Sequence, residues 1–160
     1  MDLSVGLCRG GFGGIVGPRV PRFEPGVEAL GRDWYADAAQ MREAIAAGRA
    51  FNLIYISFSQ KADVFPAKDD FCAAQLEHAT RLPIAALGLG AEYPVASAED
   101  IVLSKLQWYK AGGETSERQW TDILRVIRAT PDMDWAYVEI WAARRRYASL
   151  AYESRKLKEW

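Results

Sequence analysis

The sequence predicts an α+β protein, with a small mixed β-sheet packed with helices and followed by a C-terminal helical bundle. Three observations carry this. Two neighbouring runs, FNLIYISFS and KADVFP, are dense in strand formers. Alanine-rich, capped segments flank them. From Ser97 onward, helical patterns separated by Gly and Pro take over.

The elements follow in order. CRGGFGGIVGPRVPRFEP lacks a helical period, and Pro18, Pro21 and Pro25 would interrupt any helix begun there. Residues 1–25 therefore read as an irregular Gly/Pro-rich segment. GVEALGRDWY reads as a short helix ending near Gly31. DAAQMREAIAAG, 37–48, is an alanine-rich helix closed by Gly48. Strands are predicted over 51–59 and 61–66, with Pro66 ending the second. DDFCAAQLEHAT, 69–80, is helical with an aspartate N-cap. RLPIAALGL and AEYPVA are extended pieces joined by a Gly-rich turn. Ser97-Ala98-Glu99-Asp100 has the form of a capping box with Asp at its last position, and its helix stops at Gly112-Gly113. Ser116 to Gln119 forms a second box. Behind it Trp120, Ile123, Leu124 and Ile127 make one apolar stripe. Pro131 then introduces DWAYVEIWAARRRYASLAYESRKLKEW, one helix or two. Residues 26–160 read as a single domain, its sheet part ending near 96.

Bulk properties narrow the function classes. The chain has 160 residues, half of them hydrophobic, with a formal net charge of -1. That is enough for a sizeable core, and the balance does not announce a nucleic-acid binder. Two cysteines, Cys8 and Cys72, fit neither a zinc spacing nor a disulfide framework. With no secretory leader and no membrane-length apolar run, a cytoplasmic protein with no membrane contact is expected. His78 is the one histidine, so a metal site would be built of carboxylates, which suits Mg²⁺.

The remaining motifs mostly have plain readings. GGFGGIVG matches no phosphate-loop pattern. His78 sits near a helix C-terminus, a common structural placement. Arg144-Arg145-Arg146 reads first as a solvated helix face. Trp108, Tyr109, Trp120, Trp135 and Trp141 read as core or helix-packing residues rather than a base-stacking platform. Arg118 and Asp122, four apart on one helix, read as an intrahelical ion pair. Asp63 is the residue that asks for a partner or a use, because it stands in a strand between Ala62 and Val64.

VASAEDIVLSKLQWYKAGGETSERQWTDIL resembles the C-terminal motif of a bacterial branch of the nucleotidyltransferase superfamily, related to the toxin component of abortive-infection toxin–antitoxin systems. Ser97, Glu99, Asp100, Ile101, Lys105, Leu106, Trp108, Tyr109, Ser116, Arg118, Gln119, Trp120 and Asp122 match its pattern. FNLIYISFSQKADVF also looks like the family's paired strands, the second carrying an acid. The resemblance spans about 26–130. It implies transfer of a nucleoside monophosphate from an NTP to a hydroxyl of an RNA or protein acceptor, with two Mg²⁺ ions clamping the phosphates. By resemblance Asp63 is a metal ligand and catalytic carboxylate, Lys105 a triphosphate contact aided by Arg118, and Asp122 a supporting acid. An antitoxin partner comes with the same reading, and the sheet edge left by a missing first strand would favour self-association.

The departure from the pattern is also definite. The family's acidic pair, D-x-D after a Gly-rich turn, has no counterpart before Asp63: Glu24, Glu28, Asp33 and Asp37 have the wrong setting or spacing. The match begins abruptly near Gly26, as a truncated gene, a wrong start site or a frameshift would produce. One carboxylate holds Mg²⁺ poorly, so a weakly active or inactive chain is expected. A non-catalytic binding or interaction module on the same fold stands as the alternative.

Overall fold

A computed structural model of the chain describes residues 3–6, 31–66, 69–83 and 92–157. Chain contacts divide it into two compact units, Met1–Ala96 and Ser97–Trp160. The fold class is α+β, as expected, but the sheets are antiparallel throughout the described residues rather than mixed.

In the first unit, β1 (Leu3–Gly6), β2 (Trp34–Tyr35), β3 (Phe51–Tyr55) and β4 (Gln60–Pro66) form one sheet in the order β1-β4-β3-β2. The reading of 1–25 as wholly irregular is corrected here. Leu3–Gly6 is a strand, paired so that Gly6 stands opposite Asp63. The expected loop over 7–25, the helix over 26–30 and the Gly-rich turn over 84–91 lie outside the described residues. Strand β3 is also shorter than the run 51–59 suggested. Ile56–Phe58 turn into a 3₁₀ helix, the Phe58 ring folds back to stack 5.6 Å from Tyr55, and Ser59 takes a left-handed φ of 50°. Local ring stacking and a compact turn thus override strand propensity.

Register assigns the two faces. Phe51 lies opposite Val64 and Leu53 opposite Ala62. This face receives helix α1 (Ala38–Ala46), whose Met41 and Ala44 complete a cluster with Phe51 and Val64. Asp37 starts α1 by accepting the backbone N–H groups of Ala39 and Gln40. Gly48 leaves it at a φ of 59°, the conformation that favours glycine. Asn52 opposite Asp63, and Ile54 opposite Lys61, fall on the other face. Helix α2 (Asp70–His78), capped by Asp69, carries the buried Phe71 and ends on His78. Strands β5 (Thr80–Pro83) and β6 (Glu92–Val95), near the two expected extended pieces, pair in a sheet of their own.

The second unit consists of α3 (Ala98–Ala111), α4 (Glu117–Ala129), α5 (Trp135–Arg144) and α6 (Ala148–Lys156). Helix α3 is central and touches each of the other three. Its Val102, Leu103 and Leu106 are buried, as are Ile123 and Ile127 of α4, Val138 of α5 and Ala151 of α6. The last stretch is two helices. The chain breaks at Arg146, in a left-handed φ of 66°, whose carbonyl accepts a hydrogen bond from the Lys110 ammonium on α3.

Asp100 is the one fully buried acid among the described residues. The Ser97 hydroxyl accepts from its backbone N–H at 3.1 Å and donates to its Oδ2 at 3.0 Å. Its Oδ1 accepts from the Tyr137 hydroxyl on α5 at 2.9 Å. This is a variant of the expected capping box: the side chain engages the cap's hydroxyl rather than its backbone, leaving the other oxygen to reach a second helix. Glu99 accepts the backbone N–H of Asp134, the N-cap of α5, so two acids of one turn set where α5 begins.

Burial first, then the hydrogen bond to Asp100 and the charges of Asp100 and Glu99, hold the Tyr137 phenol far above its ordinary value of 10.0. The folded state therefore keeps a proton that the unfolded chain gives up above pH 10.0. The resulting stability is complete below that pH and drains away as pH rises past it. Tyr137→Phe should cost about 1.5 kcal/mol at neutral pH, with the gap from the unsubstituted protein narrowing above pH ~10. Urea unfolding followed by circular dichroism from pH 7 to 11 measures this; a gap independent of pH would contradict it.

Candidate functional site

Each residue singled out from the sequence has a defined local setting. Asp63 lies mid-strand on β4, on the face away from Met41 and Phe51, with Lys61 and Phe65 as its neighbours along the strand. A strand alternates faces, so residues 61 and 63 stand side by side. The Lys61 ammonium is 2.9 Å from Asp63 Oδ1, and the Asp63 side chain is 22% exposed. The carboxylate in the apolar strand is therefore paired.

This setting bears on Mg²⁺. The ion asks for several oxygen ligands at close range. The charged neighbour of Asp63 among the described residues is the Lys61 ammonium, which has no lone pair to give. Among the described residues, no three His, Cys, Asp or Glu side chains gather where they could hold a metal ion. The described surroundings of Asp63 do not fit Mg²⁺.

Lys105 and Asp122 do come together. Lys105 Nζ lies 3.7 Å from Asp122 Oδ2, across the seam between α3 and α4. The hairpin that joins these helices sets the meeting. Tyr109 and Trp120 pack with ring centres 5.2 Å apart, one turn nearer the connection. The connection itself is tied by the Tyr109 hydroxyl donating to the Glu114 carbonyl at 2.6 Å, with Gly113 at a φ of 79°. Lys105 is one-quarter exposed and Asp122 slightly less. Water still reaches both.

Asp122 has a second cation, and it is not the expected one. Arg125, three residues on, places Nη1 3.5 Å from Asp122 Oδ1. Arg118 is exposed one turn away on the same side of α4. The i,i+3 spacing of Asp122 and Arg125, and the i,i+2 spacing of Lys61 and Asp63 on a strand, were both readable signals for these partners. Lys105 and Arg125 thus both meet Asp122, with Arg118 one turn away along α4. Asp63 belongs to the first unit and these four to the second.

The aromatic residues divide. Trp141 is buried and Trp120 packs on Tyr109, matching the packing role expected of them. Trp135 lies beneath the Arg155 guanidinium. Trp108 departs from that role, with 58% of its surface exposed on α3, one turn from Lys105. In the basic run, Arg145 donates to Gln107 and Arg144 lies over the Trp141 ring, so these two cations serve the packing of the helical unit.

Among the described residues no helix is long and apolar enough to cross a membrane. Comparison with family models, curated proteins and solved structures finds no match to the chain.

An exposed ion pair of two residues on one strand contributes less than about 1 kcal/mol. Asp63→Asn and Lys61→Met should each leave the urea-unfolding free energy within that margin. A loss above about 3 kcal/mol for Asp63→Asn would instead mark the carboxylate as a buried structural group.

Proposed function

We propose that the chain is a nucleotidyltransferase-like protein that holds the phosphates of a nucleoside triphosphate at the α3–α4 seam and is impaired in transfer. The ion pair of Lys105 with Asp122 supports this reading most directly. It joins, from two helices, two residues to which the family resemblance gives a place at the triphosphate. Lys105 acts as a point charge on phosphate, Arg118 and Arg125 add positive potential, and Asp122 positions the lysine. The superfamily reaction would carry a nucleoside monophosphate onto a hydroxyl of RNA or protein with Mg²⁺ at Asp63. That carboxylate is engaged by Lys61, which is the ground for proposing impairment.

The same pairing favours a second reading, a non-catalytic binding or interaction module of the toxin–antitoxin kind. Under it the helical unit docks a protein partner and binds no nucleotide.

Two measurements separate these. Equilibrium binding of labelled ATP should be detectable, and Lys105→Ala should weaken it about tenfold, the worth of one charge-assisted phosphate contact. Transfer of label to RNA or protein should stay near background, equally so for Asp63→Asn. Absence of nucleotide binding would leave the interaction module as the better account. Strong Mg²⁺-dependent labelling that Asp63→Asn abolishes would overturn the impairment.

A further inference from the structure

Helix α5 turns an apolar side outward. Val138, Trp141 and Ala142 are buried, while Ala136, Ile140, Ala143 and Arg144 are exposed. Their spacing places these four on one side of the helix over about two turns. Ile140, 54% exposed, stands at the centre. A single exposed isoleucine is ordinary, but alanines flank this one and offer water no charge. Helix α4 shows the contrast, because its exposed side carries Arg118, Thr121, Arg125 and Arg128. The acid beside the α5 stripe, Glu139, is neutralised by Arg155 of α6 at 2.5 Å.

The stripe ends in opposite charges. Asp134, the N-cap, is exposed at one end and accepts the Tyr137 backbone N–H through Oδ1. Arg144 is exposed at the other, its guanidinium 5.1 Å from the centre of the Trp141 ring. An acidic partner would answer Arg144 and leave Asp134 unmatched; a basic one would do the reverse. A second copy of the chain answers both. In a two-fold interface one patch serves both sides, and an axis through Ile140 sets two α5 helices antiparallel. Arg144 of one copy then stands about 6 Å along the helix from the axis, and Asp134 of the other about 9 Å in the same direction. An arginine side chain spans that difference. The alanines let the helix axes approach closely, and the opposed helix dipoles add to the attraction.

We infer that the exposed side of α5 is a self-association surface. On it a second copy docks antiparallel about Ile140, with Arg144 of each copy paired to Asp134 of the other. The inference is independent of the nucleotide reading. One helix side per copy covers well under the roughly 800 Å² per partner of a standard interface, so the dimer is weak and forms only at high concentration.

Sedimentation equilibrium of the full chain tests this. The weight-average mass should climb from one chain toward two between about 10 μM and about 1 mM. Ile140→Glu sets two carboxylates against each other at the axis and should abolish the climb. Arg144→Gln and Asp134→Asn should each weaken association severalfold, and added salt should do the same to the unsubstituted protein. Asparagine also caps helices and the other two positions are exposed, so circular dichroism should show all three variants folded. A chain that stays monomeric throughout overturns the inference. So does association that persists in Ile140→Glu, which would put the contact on another surface, such as a sheet edge.

Discussion

The helical unit depends on one buried carboxylate. Asp100 has no contact with solvent, yet it spends each oxygen on a different task. One closes the first turn of α3 with Ser97, and the other receives the Tyr137 hydroxyl from α5. The first turn of a helix is where an acid is least costly to bury, because free backbone N–H groups and the helix dipole offset its charge. From there α3 runs through the middle of the unit and is packed on by α4, α5 and α6. Lys105 is about one and a half turns along this fixed helix, so its position is inherited from the anchoring at Asp100.

Charge placement separates the two candidate acids. Asp122 shares its oxygens between two cations and remains open to water; Asp63 has a single short contact with a neighbour on its own strand. The first arrangement sets one acid between two cations, one from each helix. The second is locally balanced. This contrast is why we propose phosphate binding at the seam together with impaired transfer.

Legibility in the sequence followed the range of the interaction. Asp37, Asp69, Ser97 and Ser116 each cap the helix predicted behind them, because capping is decided within three residues. The break at Arg146 was not readable. Its left-handed backbone is held in part by Lys110, on a helix distant in sequence. The end of β3 was obscured because Ile56 and Phe58 have strand-forming side chains in a turn that ring stacking stabilises. In the candidate site, the individual residues were visible by resemblance, but the meeting of Lys105 with Asp122 needed the hairpin geometry. The exposure of Trp108 was hidden for the opposite reason. Its spacing on α3 resembles that of a packing residue, and only the placement of the other helices shows that nothing in the described fold fully covers it.

The connection between α3 and α4 has a consequence for how this chain can change over generations. Four residues, from Gly112 to Thr115, separate the last helical residue of α3 from the cap of α4, and two of them, Gly113 and Glu114, are left-handed. Such a short, tied turn has no slack to absorb an insertion. Adding one residue inside α4 ahead of Asp122 would turn that side chain by about 100° around the helix axis and carry it away from Lys105. Drift at the seam is thus open to substitution but closed to length change. Descendants that keep the function should vary in the cations along α4 before they vary in the number of residues between Lys105 and Asp122.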